Sequence, residues 1–387
     1  MNSKKILITG GGSGGHLFSA NTLIECLIHE YRFPKENITY VGGDLGMEGD
    51  AYGNSIEQRE MVGKDFKVLF IRAGKLQRRF SLRSVKPLLR VVLGFLDANR
   101  ILRKEKPSIV ISTGGFVSVP ICIVAWLRNI PIFLHEQTTA VGLSNKIVSK
   151  VAKKIYIAFK DSERYFNKRK TVHVGNIIRR EILRKEPTPN TNREVLSLVE
   201  NRKKPLLYIS GGSLGSHKIN KKVLSDLDSL LERYTVLLQT GKQKQSEDYN
   251  LAKEIHKNLE ENKRNSFLPI EYIDRDTIGY VLNNMDMFLG RSGANTVYEI
   301  GVLKKNALFI PIPWVTHNEQ YLNAKVLENI GTAKILEEKY LDEVNLSYEL
   351  ERFEEQLALR EISYKKLEEL FPTNASSTIV QDILNSF

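Results

Sequence analysis

Residues 4–16 read KKILITGGGSGGH, and residues 206–217 read LLYISGGSLGSH. Each stretch is a short apolar, β-branched run that passes directly into glycines and then into the start of a helix. A glycine turn between strand and helix lets backbone N–H groups approach an anion, while the helix dipole adds positive potential at the same place. The same device opens both halves of the chain, which points to two α/β domains in tandem rather than one.

The flanking sequence agrees. Short apolar runs alternate with longer amphipathic ones, the pattern of a doubly wound parallel sheet. Strands are expected at residues 5–9, 38–41, 68–71, 109–112, 132–134, 155–158 and 172–174, with helices between them such as 17–30 and 118–127. A polar, proline-interrupted run, EPTPNTN at 186–192, suits a linker or surface loop. A second series of strands is expected at 206–209, 236–238, 270–273, 288–289, 308–310 and 334–336. The boundary is placed near Arg180, giving domains 1–180 and 181–370. Residues 371–387 carry Ile379, Ile383, Leu384 and Phe387 at helical spacing, and this last helix is expected to pack back on the first domain.

Composition narrows the functional classes. A chain of 387 residues is long for one core and comfortable for two, and 42% hydrophobic with 26% charged residues is ordinary for globular domains. Cys26 and Cys122 sit in apolar helix-like stretches without metal or redox spacing, so both read as core residues of a reducing compartment. The longest apolar run, 116–127, falls short of the roughly 20 residues that span a bilayer, and the N-terminal MNSKKILITGGG has too short an apolar stretch for a secretory signal. A cytoplasmic location is expected. The formal net charge of +12 favours anionic partners. From residue 66 to 96 there are eight basic residues (Lys67, Arg72, Lys75, Arg78, Arg79, Arg83, Lys86 and Arg90) and no acid before residue 97, interleaved with Leu76, Phe80, Leu82, Leu88, Leu89 and Phe95. That mixture suits an anionic membrane surface, and a solvated helix face is the plain alternative.

A third glycine-bearing turn, Gly290-Arg-Ser-Gly293, leads into a helix at 294–303. Gly10, Gly12 and Gly15 also satisfy a dinucleotide fingerprint with Asp44 after the second strand, but a dehydrogenase leaves the second glycine turn unexplained. No Walker lysine follows either turn. Of the two Asp-x-Asp triplets, Asp226-Leu-Asp228 reads as a solvated helix face. Asp274-Arg-Asp276 reads as a helix cap or loop rather than a metal diphosphate site.

GGGSGGH, AGKLQRRFS, STGGFVSVPICIVAWLRNIPIFLHEQ followed by GLSNK, GNIIRRE, GGSLGSHKIN, QTGK, RSGANTVYEI and NEQYLNA stand in this order over nearly the whole chain. In that set and order the chain resembles the MurG-type transferases of glycosyltransferase family 28. The resemblance implies a GT-B fold, two Rossmann-like domains facing a cleft, with the donor held by the C-terminal one. It implies metal-independent, inverting transfer of N-acetylglucosamine from UDP-N-acetylglucosamine to the C4 hydroxyl of a polyprenyl-diphosphate-linked muramyl peptide, at the cytoplasmic face of the cell membrane in peptidoglycan synthesis, with no cofactor and no nucleic acid.

Carried over position by position, it implies His16 as general base, with Ser13, Gly14 and Gly15 of the first loop and Thr138 as donor contacts. Arg179 and Ser213 are implied as donor contacts, Ile273 at the uracil, and Ala294, Asn295, Thr296, Val297, Tyr298 and Glu299 around the nucleotide, with Glu299 on the ribose diol and Gln320 on the sugar. His135 and Glu136 are given structural roles. Leu76, Arg78, Arg79, Phe80 and Arg83 are the expected membrane contacts. Two departures stand out: Thr138 replaces the usual asparagine after His135-Glu136-Gln137, and Ile177 replaces the proline after Gly175-Asn176. Another GT-B sugar-nucleotide enzyme, a glycolipid transferase or an epimerase, is the alternative.

Overall fold

The structure, a computed structural model, describes residues 4–44, 55–74, 85–242, 247–315 and 318–386. The chain forms two compact units, one of Met1–Ile178 with Pro372–Phe387, the other of Arg179–Phe371.

In the first unit seven parallel strands alternate with helices: β1 Ile6–Gly10, α1 Gly14–Glu25, β2 Ile38–Gly43, α2 Ile56–Met61, β3 Lys67–Ile71 and α3 Val85–Glu105. There follow β4 Ile109–Gly114, α4 Ser118–Leu127, β5 Ile132–Glu136, α5 Leu143–Val151, β6 Lys154–Ile157 and β7 Thr171–His173. The sheet order is β3-β2-β1-β4-β5-β6-β7, so the direction of winding reverses between β1 and β4.

Alternation along each strand divides the core. Ile6, Ile8, Ile38, Tyr40, Ile109, Ile111, Phe133 and Tyr156 meet α1 on one face, and Leu7, Val41, Val110, Ile132, Leu134 and Ile155 meet α3, α4 and α5 on the other. Cys26 and Cys122 are core residues, and burial pushes the Cys122 thiol up to about 12. α1 starts earlier than residue 17 because Gly14 and Gly15 are already helical, and it runs on through a wider-wound turn at Cys26–Glu30.

The second unit contains α6 Arg193–Glu200, β8 Leu206–Ser210, α7 His217–Ser225, α8 Leu227–Arg233, β9 Thr235–Gln239, α9 Asp248–Asn258, α10 Glu261–Arg264 and β10 Phe267–Ile270. It continues with α11 Arg275–Asn284, β11 Met287–Gly290, α12 Ala294–Val302, β12 Asn306–Phe309, α13 Glu319–Ile330, β13 Ala333–Ile335, α14 Leu346–Ala358 and α15 Tyr364–Leu370. The order β10-β9-β8-β11-β12-β13 reverses between β8 and β11. Leu207, Ile209, Val236, Leu238 and Leu289 pack under α7, α8, α9 and α14, while Tyr208, Phe288 and Phe309 form a chain of aromatic contacts at 5.7 and 6.0 Å.

α16 Ala375–Leu384 belongs to the first unit, where Ala375, Ile379, Val380 and Ile383 are fully buried beside α1.

Two expectations need correction. The strand sought at 270–273 lies at Phe267–Ile270, because its partner β9 ends at Gln239 and the next amides, those of Thr240 and Gly241, turn to bond Ile270 and Glu271 as the chain leaves the edge. Asp226 is not on a solvated face. It is 9% exposed at the α7–α8 junction, where Oδ2 accepts from the Leu346 N–H at 2.8 Å and Oδ1 pairs with Lys222 at 3.0 Å. Asp228 is the exposed member and pairs with Lys263. Asp274 caps α11 through Thr277 N at 2.8 Å.

Candidate functional site

Both glycine turns sit at the carboxyl ends of the central strands, at the place where each sheet reverses its winding and where open α/β sheets bind ligands. In the first unit the turn joins β1 to α1. Gly115, after β4, approaches so closely that a Cβ there would stand 1.8 Å from the Gly11 carbonyl oxygen, so only glycine permits the two loops to touch. Gly12 N donates to Glu57 Oε1 at 2.5 Å, and the buried Glu57 is held on α2, whose start is fixed by a Ser55–Gln58 capping box. Ser13 stands at the N-cap of α1 in extended conformation without a capping bond from its side chain, and Gly14 and Gly15 form the first turn.

His16 follows in that turn. Its Nδ1 lies 2.7 Å from the Thr113 carbonyl oxygen, which can only accept, so the proton resides on Nδ1. The Gln137 amide is 2.5 Å from the same nitrogen. With Nδ1 donating, the amide must turn its oxygen toward the ring and its nitrogen toward Ser19 Oγ, an assignment that fits the network equally well. Nε2 is thereby the unprotonated nitrogen. Burial lowers the His16 value below 6.5, and the Thr113 bond partly opposes this. The ring packs against Gly114, where a Cβ would stand 2.8 Å from His16 Cε1 and 2.8 Å from Asn145 Nδ2.

Around it lies a buried polar layer. Glu136 is 1% exposed, and its oxygens accept from Thr138 N, Thr138 Oγ1 and Asn145 Nδ2, each at 2.8 Å. Burial pushes the Glu136 carboxyl up, and the Asn145 and Thr138 bonds restrain the shift. His135 Nε2 carries the ring proton and donates it to the Gly175 carbonyl, 3.1 Å away, and burial drives the His135 value down to about 4. The single Thr138 hydroxyl proton is shared within the loop, between Glu136 Oε1 and the Ala140 carbonyl 2.9 Å away.

In the second unit the turn after β8 runs through Gly211 to Gly215. Ser213 is exposed there, and its carbonyl accepts from Lys242 N at 3.1 Å. Ser213 is not the cap of α7; that position is Ser216, whose hydroxyl accepts from Arg291 at 2.8 Å. Arg291 is buried, donates also to the Ile310 carbonyl at 2.9 Å and pairs with buried Glu338.

Facing β8 from the neighbouring strand, β11 leads through residues 291–293 into α12. Ala294 stands at its first position, and Asn295 and Thr296 are half-buried. Val297 and Tyr298 are fully buried, Tyr298 against Phe371 with ring centroids 5.1 Å apart, so the side chains of these two belong to the core. Glu299 is 7% exposed, and its Oε1 accepts from Arg179 Nη2 at 2.8 Å and Nε at 3.1 Å. Ile273 is buried, and its N–H donates to Gln239 Oε1 at 3.2 Å. Gln320, in the first turn of α13, accepts from Ile312 N at 3.1 Å through its side chain.

The structure therefore gathers His16, Ser13, Gly14, Gly15 and the Thr138 loop at one switch point. Arg179, Glu299 and Ser213 belong to elements that meet at the other. Glu57, which no motif marks, joins the first site, and Gln137, Asn145 and Arg291, quoted above only as members of motifs, take positions of their own in these sites. Leu76, Arg78, Arg79, Phe80 and Arg83 lie outside the described residues. Of the other basic residues in that run, Lys67 pairs with Glu105, Arg72 with Asp97 and Arg90 with Asp44, at 2.5–2.7 Å.

Residues 6–157 match the glycosyltransferase family 28 N-terminal domain, and residues 206–371 match the glycosyltransferase family 28 C-terminal domain. A Bacillus cereus protein named UDP-N-acetylglucosamine--N-acetylmuramyl-(pentapeptide) pyrophosphoryl-undecaprenol N-acetylglucosamine transferase 2 is 33% identical over 98% of this chain and 99% of its own length. A Staphylococcus aureus transferase of the same name, without the numeral, is 32% identical over 98% of this chain and 99% of its length. Among solved structures, Acinetobacter baumannii MurG shares the fold with a TM-score of 0.68 at 21% identity, covering 99% of this chain and 100% of that one. A Listeria monocytogenes structure described as a putative UDP-N-acetylglucosamine 2-epimerase shares it with a TM-score of 0.65 at 12% identity, covering 98% and 95%.

Proposed function

This chain belongs to glycosyltransferase family 28, and from that premise we propose that it transfers N-acetylglucosamine from UDP-N-acetylglucosamine to the C4 hydroxyl of a muramyl peptide carried on a polyprenyl diphosphate, with inversion and without a metal. The observation that carries the substrate assignment is identity at 32–33% over nearly the full length to transferases so named.

The chemistry follows from residues already placed. The second unit receives the uridine diphosphate: the Ser213 turn and the start of α12 offer N–H groups and two helix dipoles to the diphosphate, and the Glu299 carboxylate, oriented by Arg179, accepts from the ribose diol. Ile273 and Gln320 complete the pocket at the uracil and at the sugar hydroxyls. In the first unit His16 Nε2 takes the proton of the attacking hydroxyl, while the Thr113 carbonyl holds the opposite nitrogen and stabilises the imidazolium as it forms. The new bond forms at the anomeric carbon as the bond to the β-phosphate oxygen breaks, so uridine diphosphate departs with the electron pair.

The acceptor's lipid requires a membrane. No described helix is long and apolar enough to cross one. On the outer side of the layer formed by α3, α4 and α5, however, Val92, Leu96, Trp126, Leu127 and Leu143 are 52–67% exposed. Arg128 follows Leu127 in the chain, and Lys146 and Lys150 line a shallow cavity with Leu143, a composition suited to the interface of an anionic leaflet. This face attaches the enzyme peripherally to the cytoplasmic side of the cell membrane, and Leu76, Arg78, Arg79, Phe80 and Arg83, outside the described residues, are proposed contacts on composition alone. Incubation with radiolabelled UDP-N-acetylglucosamine and extracted lipid-linked muramyl peptide tests the reading. A labelled disaccharide lipid is the expected product, and conversion of the free sugar nucleotide to an epimer without acceptor would replace it with the epimerase alternative.

A further inference from the structure

α7 opens on His217, directly after the second glycine turn. Its Nδ1 lies 2.6 Å from Asp248 Oδ1, at the start of α9. Asp248 is 5% exposed, and its second oxygen accepts from Asn220 Nδ2 at 2.8 Å. The same Asn220 amide donates to the Thr240 carbonyl at 2.9 Å, which ties the carboxylate to the exit of β9. The imidazole, by contrast, is 65% exposed. Burying a carboxylate costs free energy unless hydrogen bonds compensate. Here that investment aims a surface ring, since the cap of α7 is the preceding Ser216. A carboxylate on Nδ1 fixes the proton there and directs Nε2 to the opposite side.

We propose that His217 is a further residue of the donor site, contacting the β-phosphate of a uridine nucleotide through Nε2, with Asp248 as its positioning residue. The inference rests on the donor reading above, in which the Ser213 turn holds the diphosphate. In the transfer, the bond from the anomeric carbon to the β-phosphate oxygen breaks and its electron pair stays on that oxygen; the acceptor oxygen bonds to the same carbon, and its proton passes to His16. An imidazolium at His217 donates to the Asp248 carboxylate on one side and to the phosphate on the other, placing positive charge where negative charge grows. The neighbouring cations are committed elsewhere. Lys218 donates to the Glu338 carbonyl and lies 3.7 Å from Asp342, Lys242 rests over the Tyr272 ring at 4.0 Å, and Arg291 holds Ser216.

The test is calorimetric titration of the full chain with UDP, UMP and uridine. In His217→Ala the affinity for UDP is expected to fall about ten- to a hundredfold, with uridine affinity unchanged, as for loss of one charge-assisted hydrogen bond. His217→Arg is expected to recover part of the UDP preference, and Asp248→Asn to lose part of it with little change for uridine. A UDP-to-uridine affinity ratio unchanged in His217→Ala overturns the proposal. A ratio lost in His217→Ala yet intact in Asp248→Asn overturns the orienting role of Asp248. Equal loss for all three ligands marks both residues as structural. If the wild-type chain binds no UDP, the donor reading itself fails, independently of the dyad.

Discussion

His16 combines two properties that a general base needs: a tautomer fixed by the Thr113 carbonyl and a value lowered by burial, so that Nε2 is unprotonated at neutral pH. Replacing it by alanine is expected to reduce turnover roughly 10²- to 10⁴-fold while donor affinity is retained. A single-turnover assay at saturating donor, with melting temperature followed in parallel, separates this from loss of a packing contact. The direction of the shift also sets the pH profile: because burial favours the neutral ring, the acid-side fall of kcat/KM is expected to have its midpoint below that of an ordinary imidazole. A fall beginning above pH 7 would assign the base elsewhere. At the donor site the Arg179–Glu299 pair predicts a difference between two substitutions. Glu299→Gln keeps the shape and weakens UDP binding through the ribose, whereas Glu299→Ala also removes the two charge-assisted bonds from the half-buried Arg179 and is expected to cost about 1.5–3 kcal/mol of stability. Paired nucleotide titrations and denaturant melts check both.

At the scale of elements, the α3–α4–α5 layer presents its inner side to the core and apolar side chains to solvent, a use of helix surface that a soluble partner-free layer does not require. Changing Trp126 and Leu127 together to serine is expected to lower binding to anionic vesicles more than tenfold, from the roughly 1.5–3 kcal/mol that each large apolar side chain contributes when buried. Transfer to a short soluble acceptor should be unaffected; equal vesicle sedimentation of both proteins would remove this face from the membrane assignment.

The same layer shows what was legible in the residues. The helix at 118–127 and twelve of the thirteen strands fall where apolar runs and their spacing put them, because burial on both faces writes continuous apolar runs into parallel strands. Glu57 was not legible, since it is a single polar residue that reaches its loop only through sheet order, whereas Gln137 and Asn145 stand in quoted motifs whose partners the sequence did not reveal. Val297 and Tyr298 turn their side chains into the core, because a helix turns about half of any contiguous run inward, which leaves their backbone as what they can offer a ligand.

For the whole molecule, the first unit contains two separate stretches of chain. α16 contributes Ala375, Ile379, Val380 and Ile383 to the core beneath α1, Tyr31 donates to the Ser377 carbonyl at 2.9 Å, and Lys154 pairs with Asp382 at 2.7 Å. Ending the chain before residue 372 is therefore expected to destabilise the first unit by about 5 kcal/mol or more, from three branched side chains at roughly 1.5–3 kcal/mol each. Calorimetry should show one transition shifted down and the other nearly unmoved, whereas an equal shift of both would deny α16 its place in that core. Synthesis meets the same constraint in time. When the ribosome has made residue 178, the first unit still lacks a piece of its interior, and about 190 further residues must be added before that piece begins to appear. At roughly 5–20 residues per second the nascent chain waits some ten to forty seconds with an open apolar groove, and the second unit can fold while the first is still unfinished.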